Sequence, residues 1–166
     1  MGRGQTHRQT DRQTHIRTSR LYDRIGPVGR FDENTIKPTK YKHLSRGNKY
    51  ACSLLTQIRV GNSFLKSHSF KRGHTENPYC NCNLGHVEDP THYLIKCNLY
   101  NEQRQILVGQ MEQFIPNFDV LSDNRKLEIL LMGYEYQNPE MTKINTKIMF
   151  ISQSYILKTK RFSKAS

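Results

Sequence analysis

The stretch Cys80-Asn81-Cys82-Asn83-Leu84-Gly85-His86-Val87-Glu88-Asp89-Pro90-Thr91-His92-Tyr93-Leu94-Ile95-Lys96-Cys97 gathers three of the chain's four cysteines and two of its seven histidines. Its spacing is C-x-C-x9-H-x4-C, with His86 inside. Zinc takes thiolate and imidazole ligands in a tetrahedron, and structural sites close all four positions, Cys3His being one of the usual sets. Cys80 and Cys82 are expected to meet one ion across a tight turn, in which Asn81 tolerates the left-handed conformation. Asp89-Pro90 reads as an N-cap followed by proline at the first helical position. That puts His92 on the first turn of a helix, facing back toward the loop. Cys97 lies five residues on, roughly 140° further around a continuous helix. The helix must end or distort before Cys97, and Asn98 is placed to start the next one.

The spacing leaves the ligand set open. A second set uses His86 in place of His92, or both with one supporting the other. Unliganded thiols in a disordered loop are the plain alternative, and a catalytic zinc would need an open position beside a partnered glutamate. Glu88 and Asp89 are close enough in sequence to accept a hydrogen bond from a ligating histidine. No apolar stretch follows the charged N-terminus, so a secretory signal is not expected. The expected location is intracellular, in nucleus or cytoplasm and not secreted, where cysteines stay reduced. Cys52 reads as a small core residue, and His43, His68 and His74 as surface residues.

Outward from the cluster the apolar period is helical. Ala51, Leu54, Leu55 and Ile58 sit at i, i+3, i+4 and i+7, and Gly61-Asn62 is a natural stop. A short helix is expected over 63–71, burying Phe64 and Phe70, with Arg59, Lys66, Lys71 and Arg72 outward. Beyond Cys97, Asn98 or Asn101 caps a helix through Phe114 with Ile106, Leu107, Met111 and Phe114 on one face. Asp123 caps another, with Leu127, Leu130 and Leu131 inward and Gly133 at its end. The last starts near Pro139 and carries the stripe Met141, Ile144, Ile148, Ile151 and Tyr155. No segment alternates with period two. The expected fold class is mostly α: a small helical domain over 41–163 with a loop-rich, zinc-knuckle-like insert, behind a disordered low-complexity segment and linker at 1–40.

At 166 residues the chain is about one domain long, and with 35% apolar residues and no tryptophan it supports only a small core. No apolar run approaches the roughly 18 residues that cross a bilayer, so no membrane partner is expected. The net charge of +12 is unevenly spread. From Asn34 to Thr75 there are nine bases and no acid, from Glu76 to Glu140 ten acids and four bases, and from Met141 onward six bases and no acid. Two basic blocks around an acidic middle point to a polyanion. The first residues repeat in fours, Gln5-Thr6-His7-Arg8, Gln9-Thr10-Asp11-Arg12, Gln13-Thr14-His15-Ile16. A CAGA repeat read in triplets spells Gln-Thr-Asp-Arg, so the segment reads as a translated simple repeat that builds no core.

Together, Leu54-Leu55-Thr56-Gln57-Ile58-Arg59-Val60-Gly61-Asn62, the Cys80–Cys82 pair, Glu88 through Cys97, and Tyr100-Asn101-Glu102-Gln103-Arg104 resemble the tail of LINE-type (non-LTR) retrotransposon reverse transcriptases. Such tails carry a basic helix ending in R-x-G, a C-x-C pair and an H-x4-C segment leading into C-x-x-Y-x-x-x-R, here Cys97, Tyr100 and Arg104. Leu130-Leu131-Met132-Gly133 and Tyr155 through Phe162 are similar to the closing part of these elements. The resemblance spans about Lys40 to Phe162. It implies one structural Zn²⁺ on Cys80, Cys82, His92 and Cys97, and a nonenzymatic nucleic-acid-binding module, a detached tail. No polymerase Y-x-D-D motif or RNase H-like carboxylate set is present. Lys42, Arg46, Lys49, Arg59, Lys66, Lys71 and Arg72 are the expected phosphate contacts on RNA or single-stranded DNA, with Tyr79 and Tyr93 as stacking candidates. The alternative is a helical protein-interaction remnant that docks on a reverse transcriptase core and has no nucleic-acid role of its own.

Overall fold

A computed structural model describes residues 43–134 and 139–163. The expected low-complexity segment 1–40 and the candidate phosphate contact Lys42 lie outside the described residues.

The first helix, α1 (Lys49–Arg59), forms where the sequence supplies both a start and a stop. The Asn48 side chain accepts the Ala51 N–H at 3.0 Å, satisfying one of the first-turn donors that a helix leaves over. At the other end Gly61 takes φ +68°, and Asn62 and Gly61 donate to the carbonyls of Gln57 and Ile58 at 2.8 and 3.2 Å. This is the paired bonding of a glycine C-terminal cap. Between them Ala51, Leu54, Leu55 and Ile58 are buried, the stripe the period predicts. α2 (Lys66–Lys71) is a short helix closed the same way, with Gly73 at φ +72° and His74 and Gly73 donating to Ser69 and Phe70.

α2 corrects the expectation for this stretch. It starts at Lys66 rather than Ser63, and Leu65 before it is extended (φ −62°, ψ 142°). Extended residues alternate sides, so Ser63 and Leu65 point inward and Phe64 is left 67% exposed. Phe70 is also exposed. The inward position on α2 is taken by His68, whose Nδ1 sits 2.8 Å from Ser63 Oγ. His43 is buried as well, its Nε2 3.0 Å from the Met132 carbonyl. The surface placement expected for both histidines does not hold; each is inside because a hydrogen-bond partner meets it there.

α3 (Asn101–Glu112) and α4 (Asp123–Met132) follow the cluster, and α5 (Pro139–Lys158) is the last helix among the described residues. α5 has 20 residues, about 30 Å of helix, and packs against α1, α3 and α4. On α3, Leu107 and Met111 are buried and Ile115 beyond its end continues the face, whereas Ile106, expected inward, is half exposed one residue off that stripe. Neither Asn98 nor Asn101 caps α3 with its side chain. α4 is capped by Ser122, one residue before the expected Asp123, and buries Ile129, Leu130 and Leu131.

The core is complete despite the low apolar content. Leu55, Leu65, Tyr93, Leu94, Met111, Phe118, Ile129, Leu130, Ile148, Met149, Tyr155 and Ile156 are all under 2% exposed or at that limit, and each large side chain so buried contributes about 1.5–3 kcal/mol. α5 also buries polar groups that tie down loops. Gln153 accepts from Asn48 N–H at 2.9 Å and donates to the Arg46 carbonyl at 2.6 Å. Asn145 Oδ1 accepts from Tyr134 N–H at 2.7 Å. Cys52, expected as plain core, is half-buried beside this junction, its Sγ 3.2 Å from the Arg46 carbonyl. Among the described residues there is no strand, only one antiparallel bridge between Tyr79 and Val87. The mostly helical class with a loop-rich insert holds.

Candidate metal centre

The insert is a narrow loop folded back on itself. Cys80 N–H donates to the His86 carbonyl and Glu88 N–H to that of Pro78, both at 2.8 Å, around the Tyr79–Val87 bridge. The reversal runs through residues 81–85, in which Asn83 takes φ +60° and Gly85 φ +70°. The left-handed residue is thus Asn83, not the expected Asn81. Asn81 instead joins the turn to α2, its Oδ1 accepting from Lys66 Nζ at 2.6 Å.

The return segment resolves the angular problem posed by Cys97. Asp89 Oδ1 accepts the His92 N–H at 2.7 Å, as an N-cap should. The helix then widens, and His92–Lys96 form a π-helical turn in which Cys97 N–H donates to the His92 carbonyl, 2.7 Å away and five residues back. Such single-turn widenings are rare and cluster at functional sites. Here the extra residue per turn stacks Cys97 over His92, where a regular α-turn would carry it to another face. A turn of 3-10 helix, Asn98–Tyr100, leads away into α3.

Two residues of α3 and its approach hold this distortion. Tyr100 packs on Cys80, Cys82 and Cys97. The Arg104 guanidinium donates to the carbonyls of Cys97 and Leu94, groups that a broken helical ladder would otherwise leave unmet. Both positions belong to the Cys97–Tyr100–Arg104 motif, but the motif alone assigns neither a role. The seven-residue spacing from Cys97 to Arg104, about two helical turns, is the signal that carries it.

The outcome is four side chains turned to one point. Ligand atoms of Cys80, Cys82, His92 and Cys97 lie within 4.8 Å of one another, and all four residues are buried. Cys80 Sγ is 3.6 Å from Cys97 Sγ, and Cys82 Sγ is 3.4 Å from His92 Nε2. A tetrahedron with metal–sulfur bonds of about 2.3 Å has sulfur–sulfur edges of about 3.8 Å, so the spacing fits one ion. His86 is not in the group; its ring lies 5.5 Å from that of His92, centroid to centroid.

The local electrostatics fit a dication. Burial pushes the Cys80 thiol up to about 12 and raises that of Cys97, and burial lowers His92. All three groups therefore favour their neutral forms, and their burial is unfavourable to an isolated thiolate. The main-chain N–H groups of Cys82 and Leu99 act the other way on the Cys80 and Cys97 thiols, each favouring the anion. A coordinating metal ion deprotonates such thiols outright. The chemistry of the set thus suits one metal ion, and the protein supplies all four ligands.

Glu88 and Asp89 do not act as expected. Glu88, 3% exposed, grips the Arg161 guanidinium with both oxygens at 2.6 Å and accepts Lys66 N–H at 2.8 Å. Asp89 caps the His92 turn. Neither is engaged by an imidazole N–H. Tyr93 is likewise removed from the stacking candidates: it is fully buried, its hydroxyl 2.7 Å from Thr159 Oγ1, while Tyr79 stays half exposed.

The expected phosphate contacts divide by position. Arg46, Lys49 and Lys71 are exposed. Arg59 turns inward to the Leu131 carbonyl and Met149 sulfur. Arg72 donates to Asn62 Oδ1 at 2.6 Å and to the Ser63 carbonyl at 2.9 Å, and Lys66 reaches Asn81. These three make contacts within the fold as well as carrying charge. No described helix is long and apolar enough to cross a membrane.

Comparison with known proteins finds no matching family model, no matching curated protein and no matching solved structure.

Proposed function

We propose that this chain is a nonenzymatic nucleic-acid-binding module held by one structural Zn²⁺ on Cys80, Cys82, His92 and Cys97, of the kind found in the tail of LINE-type reverse transcriptases. The observation that carries the reading is the junction of the two features. Lys66, within the acid-free run Asn34–Thr75, is bonded to Asn81 between two of the ligands. The metal loop and the basic segment are thereby one surface. Zinc with four protein ligands has no open position for a substrate, which favours a staple over a catalyst. The charge favours phosphate, and neutralising phosphates releases counterions, so binding is weak, sequence-tolerant and steeply salt-dependent, with Kd of about 10⁻⁴–10⁻⁶ M at physiological salt.

The test is anisotropy of a labelled single strand titrated at several salt concentrations. The expected result is a log Kd that rises linearly with log salt. Binding that does not change with salt, or no binding at low salt, contradicts the reading. The rival, a helical module that docks on a polymerase, draws on the half-exposed Ile106 and Phe150; it predicts self-association or aggregation and no salt-dependent shift.

A further inference from the structure

A groove of about 370 Å³ runs between α2 and the metal loop, with Ser67, Phe70 and Lys71 on one side and Val87 and Asp89 on the other. We propose that it takes one unstacked base of a single-stranded nucleic acid, with Phe70 as the stacking ring and Lys71 as the phosphate contact. The inference rests on the nucleic-acid reading above and names what that surface selects.

Three observations meet here. The groove's volume lies in the range of sites for small organic groups, about 300–1,000 Å³. Phe70 is 47% exposed and Val87 41% exposed, an apolar pair left open on a strongly basic stretch. A base face stacks on such a ring irrespective of its sequence.

Charge decides which part of a nucleotide goes where. Asp89 lines the groove with one carboxylate oxygen committed to His92 N–H. A carboxylate there repels phosphate and accepts from the N–H groups of a base edge. Lys71, exposed at the end of α2, suits the phosphate instead. A bare anion is thus disfavoured inside, and a base with its phosphate outside is favoured. The far wall is the metal loop itself, so the pocket exists only while that loop is ordered.

The experiment uses the full chain with zinc and three short labelled strands: oligouridylate, oligothymidylate and an abasic strand of equal length. The base-bearing strands are expected to bind about fivefold to a hundredfold more tightly than the abasic one. Phe70→Ala, and Phe70→Leu as the variant that keeps apolar bulk, bring that ratio close to one while leaving the salt slope intact. Both keep the parental Tm, since the ring is already half exposed. Lys71→Ala lowers the salt slope by about 0.7 and keeps the ratio. The ribo and deoxy strands separate RNA from DNA as the source of the base. A parental ratio near one, with salt-dependent binding present, overturns the pocket and leaves the proposed function standing. No binding to any strand overturns that function and the pocket with it.

Discussion

Gly47 shows how much of this fold depends on single positions away from the metal loop. It takes φ +104°, and a Cβ there would collide with Gln153 Oε1 and stand 2.7 Å from the Phe150 ring. The same Gln153 oxygen accepts from Asn48 N–H, so the lead into α1 and the middle of α5 share one contact. Gly47→Ala meets both backbone strain and a close approach, and is expected to lower stability by about 1–3 kcal/mol. Urea unfolding checks it; an unchanged midpoint would show that the contact is slack. Legibility at this scale is mixed for a definable reason. Four ligand residues can be picked out because their chemistry is rare and they lie close in sequence. His68 cannot be placed, because its burial rests on Ser63, and nothing in the sequence marks two residues five apart as partners. Glu88 and Arg161 are 73 positions apart, a pairing that no local pattern reveals.

Elements with strong periods are legible in the sequence, and elements set by tertiary contacts are not. α1 buries the four residues its spacing indicates, because cap, stripe and stop agree. Residues 63–65 mislead, since an extended lead of three residues has too little pattern to separate from a helical turn, and the error exchanges Phe64 for Leu65. The π-helical turn is legible only as a necessity: His92 and Cys97 can share an ion only if the helix changes pitch. Its support by Arg104 is not. Replacing Arg104 with Ala withdraws the donor from the Cys97 and Leu94 carbonyls, at about 1–3 kcal/mol for acceptors left unmet. Arg104→Ala is therefore expected to lower Tm and to loosen metal retention against a competing chelator. A variant that holds metal as tightly as the parent would show that the turn is self-supporting.

Across the whole molecule, stability must depend on pH through its buried histidines. Burial is the largest cause lowering both His43 and His68 below the ordinary value of 6.5. A histidine whose folded-state value is depressed binds fewer protons when folded than when unfolded. Its contribution is fully present above the unfolded value and is lost as pH falls below it. Tm is expected to hold near neutrality and to drop as pH falls below about 6.5. Exchanging His43 and His68 together for glutamine should flatten that drop, while acid release of metal from His92 would persist in the variant. A parental profile flat across this range would contradict the burial of both rings.

The central claim is that the loop 74–90 and the return through Cys97 are held by zinc. That stretch has few apolar side chains, and ordering a backbone costs roughly 1–2 kcal/mol per residue. Zinc in small modules supplies about 10–16 kcal/mol of apparent binding energy at neutral pH, the scale required for a loop partly held by its neighbours. Native mass spectrometry of the reduced, folded chain measures this most directly, beside Cys97→Ser and His86→Ala. One zinc per chain is expected in the parent and in His86→Ala, and none in Cys97→Ser, which melts at lower temperature. A folded parent without zinc, or a Cys97→Ser variant that melts like the parent, would contradict the claim.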